Sequence, residues 1–172
     1  MMDFMRTRFT RLRLASVLGT ACALVALAAP ARADITGFIG ANTTPDNRQT
    51  RGVAIGAGLL VVGFEFEYAA TTGSDDPLTP APSLKTGAAN GLLQTPVAIK
   101  GFQPYFTTGF GVYRETLGAH RDTSVGLNSG GGVKISLAGP LRLRVDYRVF
   151  KLGSGALYSP AHRIYAGLNL KF

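Results

Sequence analysis

Between Asp34 and Phe172, apolar and polar residues alternate in eight successive segments, separated by short stretches rich in Gly, Pro, Asn, Asp and Ser. Strict alternation is the period of a β-strand with one apolar and one polar face. The last segment is the most regular. In Arg163–Phe172, Ile164, Ala166, Leu168, Leu170 and Phe172 share one parity, and Arg163, Tyr165, Gly167, Asn169 and Lys171 share the other. Leu141–Phe150 sets Leu141, Leu143, Val145, Tyr147 and Val149 against Arg142, Arg144, Asp146 and Arg148. The third segment, ending near Ala70, sets Val62, Phe64, Phe66 and Tyr68 against Gly63, Glu65, Glu67 and Ala69.

The remaining strands are read the same way. Arg51–Gly58 carries Val53, Ile55 and Ala57 on one side and small residues on the other. Thr86–Thr95 is weaker, with Ala88, Asn90, Leu92 and Gln94 on one parity. Pro104–Arg114 sets Phe106, Thr108, Phe110 and Val112 against Tyr105, Thr107, Gly109, Gly111 and Tyr113. Asp122–Leu137 sets Val125, Leu127, Val133, Ile135 and Leu137 against a glycine-rich face that includes Asn128 and Lys134. Asp34–Ala41 is a short first strand whose facing stays open, since its isoleucines and Phe38 fall on opposite parities.

Connections differ in character. Leu59–Val61 and Ala138–Pro140 are short turns, whereas Asn42–Thr50, Thr71–Lys85, Glu115–Arg121 and Lys151–His162 read as longer polar loops. Pro96–Gln103 is a partly apolar connection. A strand of about ten residues is long enough to cross a bilayer at a tilt. No apolar run of transmembrane-helix length follows Asp34. A membrane form of this chain must therefore be a closed barrel, the only other way to satisfy every backbone group in lipid.

The first 33 residues read as a cleavable export signal, residues 1–33, ahead of one domain, residues 34–172. Arg6, Arg8, Arg11 and Arg13 form a basic start, Leu14–Ala29 is apolar, and Ala31-Arg32-Ala33 gives the small-x-small cleavage pattern before Asp34. The single cysteine, Cys22, lies in this segment, so an exported mature chain holds no disulfide. Counted from Asp34, 13 basic and 9 acidic residues remain, so much of the whole-chain charge of +8 belongs to the signal. The remaining basic residues are scattered along an exported chain, which argues against nucleic acid as a partner.

The charged parity carries the candidate chemistry: Glu65, Glu67, Lys134, Arg142, Arg144, Asp146, Arg148, Arg163 and Lys171. Inside eight strands there is room only for side chains. Charges confined there must pair and hydrogen-bond, and arginine's planar fork suits carboxylates. Such a face reads either as a salt-bridged plug or as the wall of a narrow, mildly anion-preferring pore. Catalysis finds little to stand on. His120, near Asp122 and Ser124, and His162, three residues after Ser159, match no triad spacing. Two scattered histidines offer no metal-ligand set, and the glycines lack a phosphate-loop context, so no cofactor is expected. Arg48, Arg51, Lys85, Arg114, Arg121 and Lys151 read as loop charges, solvated or meeting lipopolysaccharide phosphates at the rim.

Eight alternating strands, the run F-E-F-E-Y, the P-Y-x-x-x-G-x-G form of Pro104–Gly111 and the closing aromatic together resemble the small outer-membrane barrels of the outer-membrane protein A and opacity type. The resemblance implies an all-β, eight-stranded antiparallel up-and-down transmembrane barrel with both termini in the periplasm. It implies a structural or surface-interaction role, with a narrow passive porin-like channel as the alternative. A soluble exported barrel carrying an apolar ligand and a lipid-modifying barrel enzyme are the remaining readings. It also implies that the last strand, through Tyr165, Leu168, Leu170 and Phe172, is read by the barrel-assembly machinery. Outer-membrane lipid and lipopolysaccharide would surround a monomer. Without tryptophan, the interfacial girdle falls to Tyr and Phe.

Overall fold

The computed structural model describes residues 32–74 and 76–172. Eight strands follow one another: β1 (Arg32–Asn42), β2 (Arg48–Leu59), β3 (Val62–Thr71), β4 (Ser83–Gln94), β5 (Phe102–Leu117), β6 (His120–Ala138), β7 (Leu141–Lys151) and β8 (Ala161–Lys171). Each pairs antiparallel with the next, and β8 pairs with β1, so the sheet closes without an edge.

Closure decides which parity faces where. Ile39, Phe64, Phe66 and Phe110 all point out, and Phe66 is 71% exposed. Glu65, Glu67, Arg144, Asp146, Arg148 and Arg163 point in and are buried. A belt of exposed aromatic and branched side chains running round the whole sheet is far larger than the apolar patches of soluble monomers. Hydrocarbon solvates such a surface and water does not. The soluble ligand carrier, which needs the apolar parity inside, is excluded by this facing. In β1 the choice left open by the pattern falls to the isoleucines: Ile35 and Ile39 face out, while Phe38 is buried and stacks on Tyr165 with ring centroids 4.0 Å apart.

The strands run past their expected ends. Glu115–Arg121, read as a loop, is mostly β-hairpin, because inward Tyr113 and Glu115 continue the alternation and only Gly118 and Ala119 turn. Gly118 adopts φ +56°, a left-handed conformation that glycine accepts without a Cβ penalty. Likewise Arg48, Lys85, Arg121 and Lys151, placed in expected loops, belong to strands, as do Arg51 and Arg114, the end residues of their expected strands. The first strand begins at Arg32, two residues before the expected mature start, since the ladder continues wherever a partner is offered: Ala33 and Phe172 exchange both backbone hydrogen bonds, at 3.0 and 2.9 Å. The proposed signal up to Ala31 lies outside the described residues.

Aromatic placement is mixed. Tyr68 and Tyr147 sit on the outer surface, whereas Tyr105, Tyr113 and Tyr165 are buried inside and cannot serve a girdle. Their hydroxyls find polar partners in the lumen or at its mouth.

Candidate functional site

The lumen is filled in three layers. At the end where β1 begins and β8 ends, the Lys134 ammonium lies 2.7 Å from Asp34, and Arg142 reaches the same carboxylate oxygen at 3.1 Å. Arg142 also donates to Gln103 at 3.0 Å and to Asn169 at 2.8 Å, and Asn169 donates in turn to Thr36 at 2.8 Å.

The middle layer joins three arginines to three carboxylates. Glu65 accepts Arg144 on both oxygens and shares one of them with Arg148, at 3.2 and 2.8 Å. Asp146 holds Arg148 Nε at 2.9 Å and Arg144 at 3.2 Å, and accepts the Tyr105 hydroxyl. Glu67 spans Arg148, at 3.1 Å, and Arg163. Burial of these groups is essentially complete, so each charge depends on its partners rather than on water.

Strand register explains this arrangement. Arg148 and Arg163 are directly opposed on β7 and β8, and Lys134 and Arg144 on β6 and β7. Like charges so placed repel. Glu67, on the far wall, bridges the first pair. The second is separated because Lys134 turns to Asp34 and Arg144 to Glu65. Room comes from Gly130 and Gly132, which face Arg148 and Asp146 across the ladder. A Cβ built on Gly132 would meet the Tyr105 hydroxyl at 2.6 Å and the Val145 carbonyl at 2.2 Å.

Above the ions lies an apolar layer of Leu84, Tyr113, Phe150, Leu152 and Ala161. The Arg163 guanidinium packs under it, 4.4 Å from the Phe150 ring. The loops are tied over this lid. Arg48, read as a rim charge, is buried, and donates to the carbonyls of Pro82 and Thr44. Buried Glu115 accepts the Leu157 amide at 2.8 Å, and the Tyr158 hydroxyl reaches the Pro80 carbonyl at 3.4 Å.

Of the nine charges the pattern assigned to the lumen, eight lie in these two ionic layers. Lys171 does not: it is half-exposed at the rim and has no ion-pair partner among the described residues. Its cross-strand neighbour is Asp34, whose carboxylate is already held by Lys134 and Arg142. Asp34 itself was read only as the residue after a cleavage site, and it is the fourth carboxylate of the two ionic layers. Its parity with Thr36 and Phe38 was the available signal. Tyr165, which shares the assembly-signal reading with Leu168, Leu170 and Phe172 but lies on the polar parity, is buried beside Glu67 and Arg148. Ala31 lies outside the described residues, and Ala33 is in β1.

Among the described residues neither histidine is hydrogen-bonded to a serine. His162 Nδ1 lies 2.7 Å from the Tyr147 hydroxyl, while Ser159 bonds the backbone of Leu152. Asp122 accepts the Tyr113 hydroxyl at 2.7 Å, and His120 is exposed.

No family model matches the sequence, and no curated protein matches it. Solved structures do. The barrel is similar to Neisserial surface protein A (19% identity over 83% of this chain and 96% of that one, TM-score 0.61). It is also similar to the N-terminal β-barrel domain of Pseudomonas aeruginosa OprF (15% identity, 82% and 97%, TM-score 0.62). The outer membrane enzyme PagL shares the architecture at 15% identity, 81% and 98% coverage and a TM-score of 0.50. At these identities the likeness is one of fold: an eight-stranded antiparallel transmembrane β-barrel.

Proposed function

We propose that the chain works in the outer membrane as a structural barrel that presents its loops at the cell surface, with a lumen closed to ions. The observation that carries this reading is the middle layer, in which Arg144, Arg148 and Arg163 are matched one for one by Glu65, Glu67 and Asp146. An ion crossing there would have to break buried pairs, each of which costs several kcal/mol to disrupt. The longer connections, tied together by Arg48 and Glu115, form the surface face, and the end carrying both termini lies in the periplasm. Lipid and lipopolysaccharide surround a monomer, and the barrel-assembly machinery reads the strand ending in Leu168, Leu170 and Phe172. No catalytic role is assigned: PagL is an enzyme of similar fold, but among the described residues here neither histidine is joined to a serine and a carboxylate.

Two measurements test this. Outer-membrane fractions should contain a band whose gel migration changes on boiling, and the purified barrel in planar bilayers should give no stable conductance. A soluble periplasmic protein would refute the first statement, and large regular current steps the second. One observation favours the alternative of a narrow, weakly anion-preferring channel: in the lower layer Lys134 and Arg142 share a single carboxylate, with Lys171 nearby. Small anion-selective steps abolished by Lys134→Gln would establish that reading instead.

A further inference from the structure

On the outer surface Lys85 and Arg114 face each other across β4 and β5, both exposed. The same row of partners continues through Ala70 to exposed Arg51 on β2. Opposed like charges are unfavourable unless an anion sits between them. Among the described residues none of the three has a carboxylate within ion-pair distance; Arg114 donates only to Thr123, at 3.2 Å.

Directly below this row runs an apolar groove. Its floor is the outward face of β4, Gly87, Ala89 and Gly91, and its walls are aromatic and branched side chains of β3 and β5: Tyr68 and Val112 flank Gly87, and Phe66 and Phe110 flank Ala89. The floor is bare for no reason of packing. A Cβ on Gly87 would meet nothing within 4 Å, and one on Gly91 only the Thr108 carbonyl at 3.9 Å. Leu93, 57% exposed, closes the far end.

We propose that this groove holds one acyl chain of a phosphorylated lipid of the outer leaflet, with its phosphate between Lys85 and Arg114 and within reach of Arg51. Charge selects the occupant. A second copy of this chain would bring the same cations against each other, whereas a phosphate accepts from both at once. The inference rests on the outer-membrane reading above.

The test uses the full-length barrel purified in mild detergent, incubated with bis-phosphorylated lipid A or its dephosphorylated form, and examined by native mass spectrometry. The wild type should retain the phosphorylated lipid. Lys85→Gln with Arg114→Gln should weaken retention about tenfold or more, as expected for losing charge-assisted bonds. Gly87→Leu should weaken it by filling the groove, while Gly37→Leu, equally open but on β1, should leave it unchanged. Equal retention of both lipids by the wild type, or retention by the double variant within twofold of wild type, would overturn the inference. So would a Gly87→Leu variant that dissociates a dimer without changing lipid retention. Heat-modifiable migration is scored alongside. A barrel that shows it but ignores the phosphate sinks this inference alone; a chain that never shows it sinks the outer-membrane reading as well.

Discussion

Arg148→Met is the sharpest probe of the lumen. The substitution keeps much of the side-chain volume and removes the one cation that touches Glu65, Glu67 and Asp146 together, at 2.8, 3.1 and 2.9 Å. Two arginines are then left against three fully buried carboxylates. An uncompensated buried charge of this kind costs about 3–5 kcal/mol. Glu67→Gln makes the opposite error, leaving Arg148 and Arg163 opposed across β7 and β8 without their shared anion, at a similar cost. Independent effects would add to about 6–10 kcal/mol in the double variant. Local neutrality predicts otherwise: with both changes the layer again holds equal numbers of cations and anions. The double variant should therefore be no worse than either single one. Stability is measured by reversible urea unfolding in lipid vesicles, followed by far-ultraviolet circular dichroism and gel mobility, because the chain has no tryptophan to report on burial. Additivity within about 0.5 kcal/mol, or a loss below about 1 kcal/mol for Arg148→Met, would refute the claim that charge matching holds this layer together.

Other substitutions separate assembly, packing and loop closure. Phe172→Ala should lower the yield of heat-modifiable barrel in cells, since the exposed ring ends the strand that closes on Ala33; wild-type yield would refute the assembly role of this residue. Gly130→Val should cost about 1–3 kcal/mol by overpacking, because even a Cβ there approaches the Tyr147 carbonyl to 2.1 Å and Arg148 Cγ to 3.0 Å; an unchanged urea midpoint would argue against that close approach. Arg48→Ala removes the donor that ties the carbonyls of Pro82 and Thr44, so chymotrypsin should cut faster after exposed Leu78 while the barrel stays resistant. Cleavage at the wild-type rate would mean the loop is held by other contacts.

How far the chain declared this architecture depends on what each signal measures. Alternation reports facing, and it reads cleanly in β3, β7 and β8, where one parity is apolar and the other carries charged residues. It reports strand ends poorly. Backbone pairing continues for as long as the partner strand does, and a polar residue at a strand end looks like a loop residue. That is why Lys85 and Lys151 passed for loop charges and why the tip of the β5–β6 hairpin, Glu115–Arg121, passed for a loop. Partner choice within the lumen was not legible either. Which carboxylate Arg148 meets is set by the shear of the closed sheet, through register that no single strand contains.

Asp34 shows the same limit from another side. Its meaning in the sequence was taken from its neighbours in the chain, Ala31 and Ala33, which mark a processing signal. Its role in the fold comes from residues a hundred or more positions away, Lys134 and Arg142. Parity could have placed it in the lumen, but only after β1 had been oriented, and β1 offers isoleucine on one face and phenylalanine on the other. The two options differ in what each face meets. Phe38 facing in finds Tyr165 to stack on and the Arg163 guanidinium 5.6 Å from its ring. With the opposite facing, Asp34 and Thr36 would lie in hydrocarbon, and Lys134 and Arg142 would lose their only carboxylate among the described residues. A buried cation stripped of its anion costs several kcal/mol. The facing of β1 is thus decided less by its own apolar residues than by two cations on β6 and β7.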